Sequence, residues 1–341
     1  MVTSRDVAAA AGVSQATVSR VLAGATTVSP ATKDRVVAAM HAVGYVPNLS
    51  ARAMKTGRAG TIGVVVADLT NPFYPQLLEA LGRAFTEHRI TVWIADGPLN
   101  EAALQAISER SVDGVLFTTA THDSAELRGA LDRAAPIVLV NRTFPDLDCD
   151  QVGSANRAGG ALVADAFIDG GRRRCAVIGG RADITTTHER STGFAQRLAE
   201  RHQPAPQTVH GSYTHTSGHA AMTALLDRPE PPDAVFCTND LLAFGALDAA
   251  RERGVRVPED LWVCGYDDVD MAAWPAYALT TVRQDVGELA RCAAELLLAR
   301  LEHPDAPHRR IELAPELVHR SSAPSPQQIW RSNRSRSAQP W

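Results

Sequence analysis

The sequence predicts a small all-α helix-turn-helix domain followed by a two-lobed α/β core of doubly wound parallel sheets. Three observations carry that reading. The chain has 341 residues, more than one ordinary hydrophobic core holds. Its first 22 residues contain two short helical stretches joined at a glycine, and from residue 61 onward short apolar runs alternate with helical stretches. A hydrophobic share of 45% with 21% charged residues is that of a globular protein, and no run of about 18 apolar residues is present to span a bilayer. Residues 1–12 lack the apolar segment of a secretory signal, so a cytoplasmic location is expected. Cys149, Cys175, Cys237, Cys264 and Cys292 are scattered and form no C-x-x-C pair. Neither a disulfide framework nor a zinc site is expected, and nothing calls for a cofactor.

The net charge of -4 conceals an asymmetry. Residues 1–58 carry seven basic side chains against Asp6 and Asp34, while the remaining 283 residues hold 27 basic and 36 acidic ones. A basic head on an acidic body suits a head that meets a polyanion. Ser4 can cap a helix reaching Ala11, with Asp6 in its first turn and Gly12 as its stop. Ser14 can cap a second helix to about Leu22, which places Val18 and Val21 on one face. A third helix starts with Ser29 and Pro30, repeats apolar residues at Val36, Met40 and Val43, and ends at Gly44. Ala8, Gly12 and the surrounding valines are what a steep crossing around a tight turn requires. The helix after Ser14 would enter a major groove N-terminus first, with Gln15, Ala16 and Arg20 at base edges. Ser4, Thr17, Ser19, Lys33 and Arg35 read either as phosphate contacts or as plain surface.

Beyond Tyr45 and Pro47, Asn48 can cap one or two helical turns before Gly57. So short a helix is marginal alone, which suits folding on contact with DNA or a second copy. Met54 lies there with Arg52 and Lys55 on either side, an apolar wedge among cations as a minor-groove intercalating element needs. An ordinary interdomain linker accounts for the same residues, and the sequence leaves both open.

Residues 2–58, through Arg5-Asp6-Val7-Ala8, Gly12-Val13-Ser14, Thr17-Val18-Ser19-Arg20, Gly44-Tyr45 and Pro47-Asn48, resemble the headpiece and hinge helix of LacI/GalR family transcription regulators. The resemblance implies a homodimer on near-palindromic double-stranded operator DNA. Its DNA contacts would be Ser4, Ser14, Gln15, Ala16, Thr17, Ser19 and Arg20 in the head and Asn48, Ala51, Arg52, Met54 and Lys55 in the hinge. Met54 stands where the family usually carries an intercalating leucine, and a flexible thioether supports a weaker kink.

In the body, apolar runs at Ile62–Ala67, Val92–Ala95, Val115–Thr118, Ile137–Val140, Ala176–Ile178, Val235–Cys237 and Leu261–Val263 predict strands. Helices are predicted at about 75–88, 123–134, 156–169, 187–202, 216–227, 240–253 and 285–301. Ligands of open parallel sheets collect beyond the carboxyl ends of strands, where this sequence places Asp68, Asn71, Asn141, Arg142, Asn239, Asp240, Asp267 and Asp268. No G-x-G-x-x-G, P-loop, H-E-x-x-H or G-x-S-x-G occurs, the histidines lack metal-ligand spacing, and adjacent carboxylates such as Asp267 and Asp268 seldom aim at one atom. No enzymatic activity and no metal are expected.

The body, along residues 61–322, also resembles the family's effector domain, a periplasmic-binding-protein-like fold. Its markers are Asn71-Pro72-Phe73, Asn156 to Gly160, Asn239-Asp240 with Gly245, Gly265 to Asp268 and Thr280 to Gln284. The resemblance implies effector contacts from Asp68, Asn71, Phe73, Asn141, Arg190, Tyr213, Asn239, Asp267 and Gln284, a set suited to a neutral polyol such as a sugar. Tyr213 reads equally as plain packing, and Asn141 stands where many relatives hold an aspartate. The implied division is a headpiece over 1–46, a hinge over 47–58 and a core over 59–322. Lobe 1 takes 61–154 and 284–313, and lobe 2 takes 155–283 and 314–322. Residues 323–341, rich in serine and proline with Arg331, Arg334 and Arg336, read as a disordered tail. The expected function is ligand-controlled operator binding, with repression as the expected sign. The rivals are a sugar-binding protein without DNA function, and an enzyme acting in the cleft.

Overall fold

The computed structural model describes residues 2–22, 25, 27–45, 58–94, 99–119, 125–131 and 135–325. Hinge residues Asn48, Ala51, Arg52, Met54 and Lys55, and tail residues Arg331, Arg334 and Arg336, lie outside the described residues. The chain divides into two compact units at residues 59 and 60.

The first unit has three helices, α1 (Ser4–Ala11), α2 (Gln15–Leu22) and α3 (Pro30–Val43). Thr3, not Ser4, precedes α1 as its N-cap: the Asp6 carboxylate accepts from the Thr3 N–H at 2.8 Å, closing the first turn back on the cap. This hydrogen bond holds the Asp6 carboxyl below the usual range. Ser4 Oγ instead accepts from Gln15 Nε2 at 2.9 Å. Gly12 ends α1 at φ 61°, a left-handed conformation open to glycine, and Ser14 caps α2 by accepting from the Thr17 N–H at 3.1 Å. Ser29 caps α3, and Gly44 ends it at φ 64°. Val7, Ala8, Ala11, Val18, Val21, Val36 and Ala39 form the core these caps orient.

The second unit holds two six-stranded sheets. The strands of the first are β1 (Thr61–Val66), β2 (Arg89–Ile94), β3 (Gly114–Phe117), β4 (Ile137–Val140), β5 (Asp150–Ser154) and β11 (Arg310–Leu313), in the order β11-β5-β4-β3-β1-β2. The second contains β6 (Cys175–Gly179), β7 (Gln207–His210), β8 (Ala234–Cys237), β9 (Trp262–Asp267), β10 (Thr280–Arg283) and β12 (Glu316–Val318), in the order β12-β10-β9-β8-β6-β7. Every pairing is parallel except β10 with β12. Helices α4 (Phe73–Ala84), α5 (Leu99–Ser108), α6 (Ala125–Leu131) and α11 (Val286–Glu302) belong with the first sheet's segments, and α7 (Asn156–Asp169), α8 (Thr185–Glu200), α9 (His215–Leu226) and α10 (Asp240–Glu252) with the second's. The chain passes between sheets three times: after β5, after β10 and after β11.

Strand β5 carries no apolar run to mark it in the sequence: Asp150-Gln151-Val152-Gly153-Ser154 is buried throughout. Its polar groups are satisfied inside. Asp150 pairs with buried Arg300 at 2.9 Å, and the Gln151 amide exchanges bonds with the Phe144 backbone at 2.7 and 2.8 Å. Helix α5 and strands β7, β10, β11 and β12 are likewise additional to the elements the sequence predicts.

Close backbone approach fixes lobe 2. A Cβ on Gly160 of α7 would lie 2.2 Å from the Arg190 carbonyl oxygen, and one on Gly193 of α8 would lie 2.1 Å from that of Arg157. These neighbours are backbone and cannot swing aside. Gly160→Val is therefore expected to lower stability by about 3 kcal/mol, because the helices must separate to admit the side chain. A urea midpoint equal to the parent's would contradict this packing account.

Candidate functional site

Parallel strands bring their carboxyl ends to one edge, and residues that follow strands of both sheets line one pocket. Asn71, Phe73, Tyr74, Asn141 and Arg142 approach from lobe 1. Thr186, Arg190, Tyr213, Asn239 and Asp267 approach from lobe 2. The free volume between them is only ≈ 20 Å³, room for about one water molecule.

Arg190, on α8, anchors the cleft. It is 3% exposed. Its Nε donates to Asn156 Oδ1 at 2.9 Å, and its Nη1 donates to the Thr238 carbonyl at 2.7 Å and to Asp267 Oδ1 at 3.3 Å. The guanidinium lies 3.6 Å from the Tyr266 ring centroid. Gln284 Nε2 also donates to Asp267 Oδ1, at 2.7 Å. Burial pushes the Asp267 carboxyl up to about 6, with the Arg190 charge and the Gln284 bond pulling against it. Behind it, Asp240 accepts from Thr281 Oγ1 at 2.5 Å and from the Val269 N–H at 2.9 Å. Burial and the Asp267 charge lift Asp240 well above the ordinary carboxylate range. Asp268 points elsewhere, to Arg283 and Arg320 at 2.7 Å each. Backbone strain gathers here too: Asn141 has φ 72° and Asp267 φ 118°.

The structure brings Asn71, Phe73, Asn141, Arg190, Tyr213, Asn239 and Asp267 together and sets Gln284 against Asp267. Asp68 is bonded locally. Its carboxylate is taken up by Thr70, accepting from the backbone N–H at 2.7 Å and from Oγ1 at 2.6 Å, and it is absent from the lining. A local turn competes successfully for a carboxylate two residues away. Phe73 is 2% exposed and sets its ring edge-on to Tyr74. Tyr213 bonds Thr187 through its hydroxyl at 2.6 Å. Arg142 follows the apolar run of β4, so strand-end logic points to it. Tyr74 and Thr186 lie in first turns of helices and carry no such signal.

Four buried polar atoms at this site have no partner among the described residues: Asn141 Oδ1, Arg142 Nε, Asn239 Nδ2 and Gln284 Oε1. Two are acceptors and two are donors. Buried polar groups are normally satisfied, so this cluster is built for an occupant that both donates and accepts.

In the head, Gln15, Ala16, Ser19 and Arg20 are exposed on α2 while Val18 and Val21 turn inward. Ser14 is exposed, Thr17 and Ser4 are half-buried, and the Ser14 and Thr17 hydroxyls bond each other at 2.9 Å.

Residues 3–48 match the model for bacterial regulatory proteins of the lacI family, and residues 164–323 match the periplasmic binding protein-like domain. The ribose operon repressor of Escherichia coli (strain K12) is 33% identical over 332 residues, covering 95% of this chain and 100% of that protein. The chain belongs to the LacI family of bacterial regulatory proteins. This LacI-family chain is thus a DNA-binding transcription regulator with a ligand-binding core, and a binding protein without DNA function is not favoured. Among solved structures, the transcriptional regulator CelR–cellobiose complex matches with TM-score 0.73 and 32% identity, covering 94% of this chain and 100% of that one. The lac repressor dimer bound to operator and the anti-inducer ONPF matches with TM-score 0.81 and 25% identity, covering 95% and 99%. Among the described residues no helix is long and apolar enough to cross a membrane.

Proposed function

We propose that the chain is a cytoplasmic homodimeric repressor whose operator affinity is set by a sugar-class effector held between the lobes, and that it catalyses no reaction. The observation that carries the effector reading is the cluster of two unpartnered donors and two unpartnered acceptors, since hydroxyls supply both roles. The cellobiose-bound relative and the ribose operon repressor support a sugar. A ligand of that size enters a site of ≈ 20 Å³ only as the lobes part, so occupancy and lobe geometry are coupled. Operator and effector then alter each other's affinity by one common factor. The DNA contacts proposed for the head are Ser4, Ser14, Gln15, Ala16, Thr17, Ser19 and Arg20. The proposed effector contacts are Asn71, Phe73, Asn141, Arg190, Tyr213, Asn239, Asp267 and Gln284.

A thermal-shift panel of sugars, followed by operator binding with each hit, tests the proposal. At least one sugar should stabilise the protein without being consumed and should change operator affinity. Stabilisation with no effect on DNA at any salt concentration would favour a binding protein, and consumption an enzyme.

Asp267 supplies a pH test. Above pH 6 its ionised carboxylate accepts bonds from ligand hydroxyls. Below that value protonation leaves a neutral carboxyl, a weaker acceptor that also carries a donor, so affinity should fall by at most about tenfold per pH unit from pH 6 downward. Asp267→Asn should flatten the profile, as read by calorimetry. A parent profile flat from pH 8 to pH 5 would remove Asp267 from the contact set.

A further inference from the structure

We infer that the effector carries one oxyanion, a carboxylate or phosphate ester on a hydroxylated body, and that Arg142 receives it. This rests on the cleft being the effector site, as proposed above, and adds the charge of its occupant. Arg142 is 7% exposed, yet among the described residues it makes no ion pair: its Nη1 donates to the Thr119 carbonyl at 3.0 Å, it bonds the neutral Tyr74 side chain, and its Nε has no partner there. The other buried arginines of the core are compensated, Arg190 by Asp267 at 3.3 Å and Arg300 by Asp150 at 2.9 Å. A guanidinium cannot shed its charge, so burial without a counter-ion is costly and rare.

Among the described residues no neighbouring carboxylate fills the role. Of the charged residues lining the cleft, two are arginines and one is an aspartate. Asp240 behind them is turned away, its two oxygens taken by Thr281 Oγ1 at 2.5 Å and the Val269 N–H at 2.9 Å. Asp183 feels the Arg142 charge, but it is exposed and clamped by Arg181 through bonds of 3.0 and 2.5 Å. A neutral sugar would leave Arg142 as uncompensated as before, whereas an oxyanion can take its unused Nε donor. Asn141 Oδ1, Asn239 Nδ2 and Gln284 Oε1 remain for hydroxyls.

Calorimetry on the full-length chain tests this with three sets of probes: D-glucose, D-gluconate and D-glucose 6-phosphate; D-ribose, D-ribonate and D-ribose 5-phosphate; cellobiose and cellobionate. The expected result is that an acid or a phosphate binds at least tenfold tighter than its neutral parent. Whether the aldonate or the phosphate does so identifies the anion. Arg142→Met should remove the preference and Arg142→Lys should keep part of it, which separates charge from damage to the fold. Neutral sugars binding as tightly as their anions, or a preference that survives Arg142→Met, would overturn the inference and leave the sugar reading standing. If no probe of either kind bound or altered operator affinity, both would fall.

Discussion

Arg190→Met is expected to abolish the response of operator binding to effector and to lower the stability of the core by about 3–5 kcal/mol at pH 8. The side chain it removes bonds Asn156, the Thr238 carbonyl and Asp267, and it lies over Tyr266. Methionine fills much of the volume but donates nothing, so Asp267 is left buried without its cation. The penalty should shrink as pH falls. Burial already lifts Asp267 to about 6 in the presence of Arg190, above an unfolded carboxylate at about 3.9. The folded state therefore holds the proton more tightly, and stability from this group rises as pH falls from 6 toward 4. Removing Arg190 lifts the carboxyl further and widens that window upward. Urea melts at pH 8 and pH 5 should show a smaller deficit at pH 5, and adding Asp267→Asn should recover part of the loss at pH 8. A deficit independent of pH would mean that Arg190 acts through packing alone.

How far the sequence reveals this molecule depends on whether the determining interaction is local. Helix α7 falls at residues 156–169 as the sequence predicts, and Ser29 with Gly44 bounds α3, because caps and glycine stops act within one turn. Ser4 looks as good a cap as Thr3, and only the reach of Asp6 back to the Thr3 N–H decides between them. Strand β5 is invisible locally because what permits its burial, Arg300, lies 150 residues away in sequence. The cleft was legible through a rule of topology rather than of residues: parallel strands end together, so Asn141, Asn239 and Asp267 meet. That rule fails where a side chain finds a nearer partner, as Asp68 does in Thr70. It is silent on groups that meet only through tertiary packing, such as Asn156 under Arg190.

On the operator, Arg20→Ala should cost about 1–3 kcal/mol per half-site and relax the preference at the base pair it reads, whereas Lys33→Ala should weaken specific and random duplexes alike. The difference follows from position. Arg20 stands exposed on the outer face of α2, whose inner face is fixed by Val18 and Val21 in the core, so its guanidinium is carried at a set angle by a rigid element. Lys33 is exposed in the first turns of α3, where a flexible ammonium meets the backbone charge without reading sequence. In a dimer the Arg20 loss counts twice, so about 2–6 kcal/mol in total should separate parent from variant on a palindromic site. Gln15 should cost less, because its amide already donates to Ser4 Oγ and exchanges one hydrogen bond for another on binding adenine. Titrations on operator and scrambled duplexes at several salt concentrations distinguish the cases: Lys33→Ala lowers the salt slope by about one per head, and Arg20→Ala lowers the ratio of the two affinities. If both variants lost affinity equally on both duplexes, α2 would not be the reading helix.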